Sequence, residues 1–541
     1  MRNNFSLTFL AFVLQLTFLP LLTGCNKSND SEILIIPLPN KYSLDSSSKF
    51  TFTDEVKVVV SDSSDERLQG LQKQLIDIVQ STMSVSLIKA TVDELAATDN
   101  FILLDLTLTN DSTEAYQLVI TKEKISLSAS DYHGLFNGIQ TLRQLLFFNT
   151  YSLSVSSVNI NDKPQFSHRG LMLDVSRHFY TVAEIKQTLD IMSLYKLNTF
   201  HWHLTDDQGW RIEIEKYPLL TEIGSHRIET VVDKNFEPYI GDGVPHSGFY
   251  SKADIVELVA YANARYITII PEIDMPGHMS AAIAAYPELG CSSKQIDVPT
   301  SWGIFANVLC PTELTFVFLE DVLQEVMALF PSRKIHLGGD EIPLWVWQQN
   351  EQAQAFIASQ GLEDESALHH YFFQRMADYL KQYDRQAIGW DDILVKGKLD
   401  NTSIMVWQDL NQAVLAAKTG LEVILSPNEF TYLNYYQGDQ GEEPLAQCCF
   451  LPIRKVYQFN PELSGLSIEQ QSNVIGLQAN LWTEYIKTQT HLEYMLMPRL
   501  MAIAELGWTK KSNMSWERFE KNYKTHFAFL DYLRVGYREK K

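Results

Sequence analysis

From Arg169 onward the sequence predicts a (β/α)8 TIM barrel, an α/β fold, with a smaller α+β domain in front of it. Three observations predict this. Eight short apolar runs follow one another along the chain, long amphipathic segments separate them, and nearly every run ends in aromatic, charged or glycine residues. In a barrel of this kind the C-terminal ends of the strands form the face on which side chains from several βα units meet.

The runs are Gly170 to Asp174, Thr199 to Asp206, Tyr266 to Asp274, Lys334 to Asp340, Gln386 to Asp391, Ser403 to Trp407, Glu422 to Ser426 and Val474 to Trp482. Each is too short for a helix and apolar enough to be covered on both faces, as parallel strands are. Helical periodicity fills the intervals: Val182 to Lys196, Lys252 to Arg265, Leu314 to Phe330, Ser366 to Asp384 and Leu410 to Lys418, with Leu492 to Leu506 after the last run. The barrel domain so defined spans residues 165–541 and includes C-terminal helices. Residues 33–164 carry β runs at Val56 to Val60, Phe101 to Leu108 and Tyr116 to Ile120, and helices at Asp65 to Gln80 and His133 to Phe147. No polar constellation converges there, so this domain reads as structural.

A chain of 541 residues with 45% hydrophobic and 20% charged residues buries a large core, and its length suits one large domain plus a companion. Its 66 acids against 44 Lys and Arg leave a net charge of −22, which repels nucleic acid and anionic surfaces. At the N-terminus Arg2 precedes an apolar stretch from Phe5 to Leu22 that closes on Leu22-Thr23-Gly24-Cys25. This resembles a bacterial lipoprotein signal, residues 1–25, in which Cys25 receives a lipid and residues 26–32 form a polar tether. The resemblance implies a cell-envelope protein that meets the membrane through its anchor alone; the competing reading is a spanning helix with a chance cysteine. Export permits disulfides. Cys291 and Cys310 bracket one loop and can pair, whereas the adjacent Cys448 and Cys449 are expected to be poorly placed to bridge each other. None of the cysteines shows metal-ligand spacing and the histidines do not cluster with them, so neither metal nor cofactor is expected.

The fourth run breaks into HLGGDEIP, residues 336 to 343. Side chains alternate along a strand, so Asp340 and Glu341 can face one ligand only where the chain leaves regular pleating, a departure that Gly338 and Gly339 permit. The other strand ends contribute Arg177, Asp206 with Asp207, Asp274 with His278, Trp390, Trp407, Tyr432, and Trp482 with Glu484. Taken singly, Arg177 is an ion-pair former, His278 a loop histidine, Asp206 and Asp207 turn residues, and each tryptophan a packing residue. Their shared position at strand ends reverses this for all but Asp207, which stays structural. His201 and His203 flank Trp202 inside a strand and read as packing residues. Aromatic rings around carboxylates suit a sugar, whose C–H faces pack on rings while its hydroxyls take charged partners. A glycosidase follows.

RGLMLDVSRHFY (169 to 180), HWHLTDDQGWRIEI (201 to 214), PEIDMPGHM (271 to 279), HLGGDEIP and GLQANLWTEYI (476 to 486) resemble, in order, the motifs of glycoside hydrolase family 20, which contains the β-N-acetylhexosaminidases. The resemblance implies substrate-assisted catalysis, in which the sugar's 2-acetamido group replaces an enzyme nucleophile. Glu341 would then be the proton donor and later the base, while Asp340 would hold the acetamido N–H and stabilise an oxazolinium-like intermediate. Tyr432 would bond the acetamido carbonyl, and Trp390, Trp407 and Trp482 would wall in its methyl group. Arg177 and Glu484 would take ring hydroxyls, and Asp206 and His278 would orient Glu341. A donor at neutral pH needs a raised pKa, which an ionised Asp340 beside Glu341 is expected to supply. One departure concerns Asn434, in TYLNYYQ, which stands where an Asp is common; it still bonds a hydroxyl but brings no charge. The implied substrate is a glycan with a terminal β-linked N-acetylglucosamine or N-acetylgalactosamine. Three rivals stand beside this reading: a silent glycan-binding lipoprotein, a disaccharide-releasing enzyme with an open groove, and a glycosidase using Asp206 as covalent nucleophile.

Overall fold

The computed structural model describes residues 33–109, 112–292 and 294–539. The leader, Cys25 and the tether therefore lie outside the described residues. Among those described, no helix is long and apolar enough to cross a membrane.

The first domain is one seven-stranded mixed sheet, in the order Lys41–Thr51, Ser154–Asp162, Tyr116–Ile120, Lys124–Ala129, Phe101–Asp105, Lys57–Val60 and Ile88–Thr91. Helices Glu66–Met83 and Tyr132–Phe147 pack on it, capped by Asp65 and Asp131. Sequence reading finds three of the seven strands. The edge strand Lys41–Thr51 was missed because nearly all of it is exposed and it carries no apolar alternation. Lys124–Ala129 does alternate, with Ile125, Leu127 and Ala129 buried, and its signal is merely short.

The second domain is a closed eight-stranded parallel barrel: His168–Asp174, Thr199–His203, Thr268–Glu272, Lys334–His336, Gln386–Trp390, Thr402–Val406, Val423–Leu425 and Val474–Leu481. All eight predicted runs are strands. The second run ends as a barrel strand at His203; Thr205–Asp206 turns out of the wall and pairs with Gly209–Trp210, which carries Asp206 over the mouth. Local sequence explains the helix starts. Thr181 and Glu184 form a capping box for Val182–Leu194, and Ser251 and Asp254 form one for Lys252–Asn263.

The two domains share buried charge. Arg169, in the first barrel strand, reaches Glu114 at 2.5 Å. Lys196 lies 3.8 Å from Asp162, which also accepts hydrogen bonds from Tyr116 and Trp508. Cys291 and Cys310 are disulfide-bonded, with Cα atoms 4.5 Å apart. Cys448 and Cys449 are bonded too, which corrects the expectation from their adjacency. Cys449 takes a left-handed backbone (φ 56°), and that turn brings the neighbouring sulfurs together.

Candidate active site

The acidic pair sits where the fourth barrel strand gives out. Gly338 (φ 64°), Gly339 (φ 95°) and Glu341 (φ 52°) all take positive φ, so the chain abandons pleating after His336, as the glycines predicted. A Cβ at Gly338 would stand 1.7 Å from Asp274 Oδ1, so no side chain fits there. The Gly339 N–H donates to that same oxygen at 3.3 Å. Asp340 is buried and its Oδ1 has no hydrogen-bond partner among the described residues, while Glu341 is half-buried.

His278 joins this pair to the second barrel strand's loop. Its Nδ1 lies 3.1 Å from Asp207 Oδ2 and 3.3 Å from Asp206 Oδ1, and its Nε2 lies 3.5 Å from Glu341 Oε2 and 3.9 Å from Asp340 Oδ2. Burial opposes its charge, but Asp206, Asp207 and Glu341 hold it as an imidazolium far above the usual range. Asp206 accepts from Arg177 Nη2 at 2.7 Å and from His203 Nε2 at 2.8 Å. Asp207 accepts from the backbone N–H of Ser280 at 3.0 Å, and so anchors the loop that carries His278.

Proton placement differs from the expectation. The His278 cation 3.5 Å away holds Glu341 below the ordinary carboxylate range, whereas burial pushes Asp340 up to about 8. The cation stands nearer to Glu341 than to Asp340, and Asp340 is the deeper of the two, so burial raises the proton affinity of Asp340 while the cation lowers that of Glu341. Burial, with Asp340 beside it, also holds Asp274 well above the ordinary carboxylate range.

Around the carboxyls stand four rings. Trp407 stacks on Tyr432 at 6.2 Å and 22°, Tyr432 meets Trp482 at 6.4 Å, and Trp482 meets Trp390 at 6.0 Å. Two are oriented by carboxylates: Trp407 Nε1 donates to Asp392 at 2.9 Å and Trp390 Nε1 to Glu272 at 3.1 Å. With Arg177, His278, Glu484 and the acidic pair they enclose a cavity of about 120 Å³. Glu484 is pushed up to about 7 by burial against the pull of Arg177. Asp206 lies behind this lining, touching it through Arg177 and His278.

Asn434 does not line this cavity. It is buried one layer back and its Nδ2 donates to Gln447 Oε1, so Gln447 lines the cavity in its place. Sequence reading missed Gln447, which lies in an irregular loop with no periodic signal. It also missed Glu272 and took His203 for packing. Glu272 was visible two residues before Asp274 as an acid inside an apolar strand. His201, Glu272 and His336 bring three potential ligand atoms within 4.8 Å, but the Glu272 carboxylate already takes N–H donors from His203 and Trp390.

The model of the glycosyl hydrolase family 20 catalytic domain matches residues 166–511, and the model of that family's domain 2 matches residues 32–163. A beta-hexosaminidase of Porphyromonas gingivalis is 38% identical over 517 residues, covering 94% of this chain and 64% of that protein. This chain thus spans less than two thirds of that relative. A beta-hexosaminidase of Akkermansia muciniphila is 34% identical, covering 77% of this chain and 84% of its own. Among solved structures, the exo β-N-acetylglucosaminidase of Vibrio harveyi in complex with N-acetylglucosamine superposes with a TM-score of 0.81 at 30% identity, over 94% of this chain and 78% of that one. The β-N-acetylhexosaminidase of Bacteroides fragilis does so at 0.78 and 31% identity, over 93% and 96%.

Proposed function

The chain belongs to glycosyl hydrolase family 20, and from that premise we propose that it is an exo-acting, retaining β-N-acetylhexosaminidase. It removes terminal β-linked N-acetylglucosamine or N-acetylgalactosamine from glycans. The observation that carries this reading is Asp340 Oδ1, a buried oxygen without a hydrogen-bond partner among the described residues, set beside Glu341 inside the same aromatic cavity. The acetamido N–H satisfies such an oxygen while the rings of Trp390, Trp407, Tyr432 and Trp482 cover the acetamido methyl, an apolar group that a plain hydroxyl sugar lacks.

The steps follow from the geometry. An acetamido N–H on Asp340 stabilises the carboxylate and releases the proton that burial keeps there. His278 Nε2 lies 3.5 Å from Glu341 and 3.9 Å from Asp340, so its cation holds Asp340 as the anion once the acetamido N–H is in place, and Glu341 takes the proton it donates from solvent. Glu341 then protonates the glycosidic oxygen while the acetamido oxygen attacks C1. The cationic ring that forms rests against anionic Asp340, and Glu341 afterwards deprotonates water. Tyr432, whose hydroxyl burial keeps protonated, donates to the acetamido oxygen. Arg177 and Glu484 take the outer hydroxyls, with Gln447 beside them. The inner end of the cavity, walled by Trp390, Trp407, Tyr432 and Trp482 with Arg177 and Glu484, favours single-residue release over a disaccharide. The rest of the glycan departs past Glu341, where Ile342, Asp392 and Gln408 line a second cavity of about 470 Å³. Asp206 makes a poor nucleophile, since Arg177 and both histidines engage its carboxylate.

A Glu341→Gln variant tests this. Its turnover on an aryl β-N-acetylglucosaminide with a poor leaving group is expected to fall by roughly 10²–10⁴-fold, the usual share of general acid catalysis. Normal turnover overturns the assignment, as does equal cleavage of the matching plain β-glucoside by the unaltered enzyme. The Leu22-Thr23-Gly24-Cys25 sequence supports a lipid-anchored envelope protein, and loss of detergent-phase partitioning in Cys25→Ser is its test.

A further inference from the structure

Behind the cavity lies a second tier of ionisable groups that the reaction above does not use. Glu272, the last residue of the third barrel strand, is unexposed. His203 Nδ1 donates to its carboxylate, which also lies 2.8 Å from His336 Nδ1, 2.9 Å from His201 Nε2 and 3.1 Å from Trp390 Nε1. The other nitrogen of His203 meets Asp206 Oδ2 at 2.8 Å. An imidazole with a carboxylate on each nitrogen must carry hydrogen on both, and so is a cation. From Asp206 the chain of contacts forks. One branch reaches Arg177 at 2.7 Å, which faces the sugar hydroxyls, and the other reaches His278 at 3.3 Å, which faces Glu341.

We propose that His203 and Glu272 form a positioning unit for the reaction, holding Asp206 as an anion in one orientation so that sugar binding and proton transfer are set by a single buried carboxylate. The inference rests on the reading of Glu341 and Asp340 above and extends it one layer inward. A packing role alone does not require this arrangement, because a buried ion pair is weak evidence for stability and apolar residues fill such a space as well. What the pair supplies is direction. With Arg177 and His278 both tied to Asp206, rotation of that one carboxylate displaces the sugar's anchor and the donor's orienter together. Trp390, hung from the same Glu272, is aligned by the same hub.

The groups facing His203 are Glu272 on the neighbouring strand, Asp206 and Asp274 at the strand-end loops, His201 on its own strand, Arg177 and His278 through Asp206, and the edge of Trp482 at 4.9 Å. His203 is held charged, far above its ordinary range, chiefly by Glu272 against the cost of burial. Removing that cation raises the pKa of every carboxylate around it.

His203→Gln keeps a donor near Asp206 and deletes the charge. The expected result is a fall of about 10²-fold in kcat/KM, divided between a higher KM through Arg177 and a lower kcat through His278, with both limbs of the pH profile moved upward by about one unit. A folded variant whose limbs stay in place, whatever its loss of stability, overturns the proposal. Should the variant not fold, the histidine spectrum still decides. With ¹⁵N-labelled histidine, two buried rings with both nitrogens protonated, those of His203 and His278, are expected to persist above pH 8; in His278→Asn one remains, and its absence there overturns the proposal. If the unaltered enzyme proves inactive on N-acetyl substrates, the activity reading fails separately, since the labelled spectrum does not depend on it.

Discussion

Oε2 of Glu341 stands 3.5 Å from Nε2 of His278, and that contact is the first cause of the acid's low proton affinity in the substrate-free site. His278→Asn deletes the cation and lets Glu341 rise. Glu341 must be protonated to act as donor, so the alkaline limb of the kcat profile should move to higher pH while kcat falls by about 10–10²-fold for lost orientation. A pH series on one aryl substrate measures both.

Asp340 offers a prediction about stability. Its folded pKa is raised from 3.8 to about 8, so between those values the unfolded chain sheds a proton that the native state keeps. Stability is then lost as pH rises through this window. Asp340→Asn removes the titration, so the variant should gain on the parent protein from pH 4 to pH 8 in thermal melts. Its kcat/KM on N-acetyl substrates should fall by about 10²–10³-fold, as for loss of one charge-stabilising group.

Arg177 uses its fork in three directions: Nη2 to Asp206 at 2.7 Å, Nε to Gln208 at 2.9 Å, and Nη1 to Asp174 at 3.3 Å. Arg177→Lys keeps the charge and loses the fork. Charge-assisted hydrogen bonds are worth about 1.5–3 kcal/mol, so kcat/KM should drop by about 10–10²-fold. Steady-state kinetics should place most of the loss in KM.

The Cys291–Cys310 bridge closes a loop with a sequence separation of 19. In the chain-entropy account a loop of this size contributes about 3 kcal/mol. The Cys291→Ser, Cys310→Ser double variant should unfold at correspondingly lower denaturant concentration, and reductant should lower the parent protein toward it.

How much of this was legible beforehand depended on distance along the chain. The barrel strands announce themselves because each is a short apolar run with a distinctive end, and Asp340 with Glu341 because two glycines precede them. Gln447 was invisible: its place at the cavity follows from a loop folding back onto Asn434, thirteen residues earlier in the chain, and no local pattern encodes that contact. His203 looked like packing for a related reason. An aromatic-rich strand names its neighbours only after the barrel closes and sets Glu272 beside it. The reversed proton order of Asp340 and Glu341 likewise comes from depth and from the nearness of His278, neither of which adjacency in sequence reveals.

Among the described residues the first domain lends none to the cavity lining, yet a guanidinium and an ammonium rooted in the barrel end on its carboxylates, Arg169 on Glu114 and Lys196 on Asp162. Severing the chain ahead of Phe166 would take away both carboxylates and leave Arg169 and Lys196 unpaired on a face built to be covered. Transplanting the catalytic half into another scaffold therefore demands redesign of both positions, and evolution could have discarded the leading half only by rewriting them first.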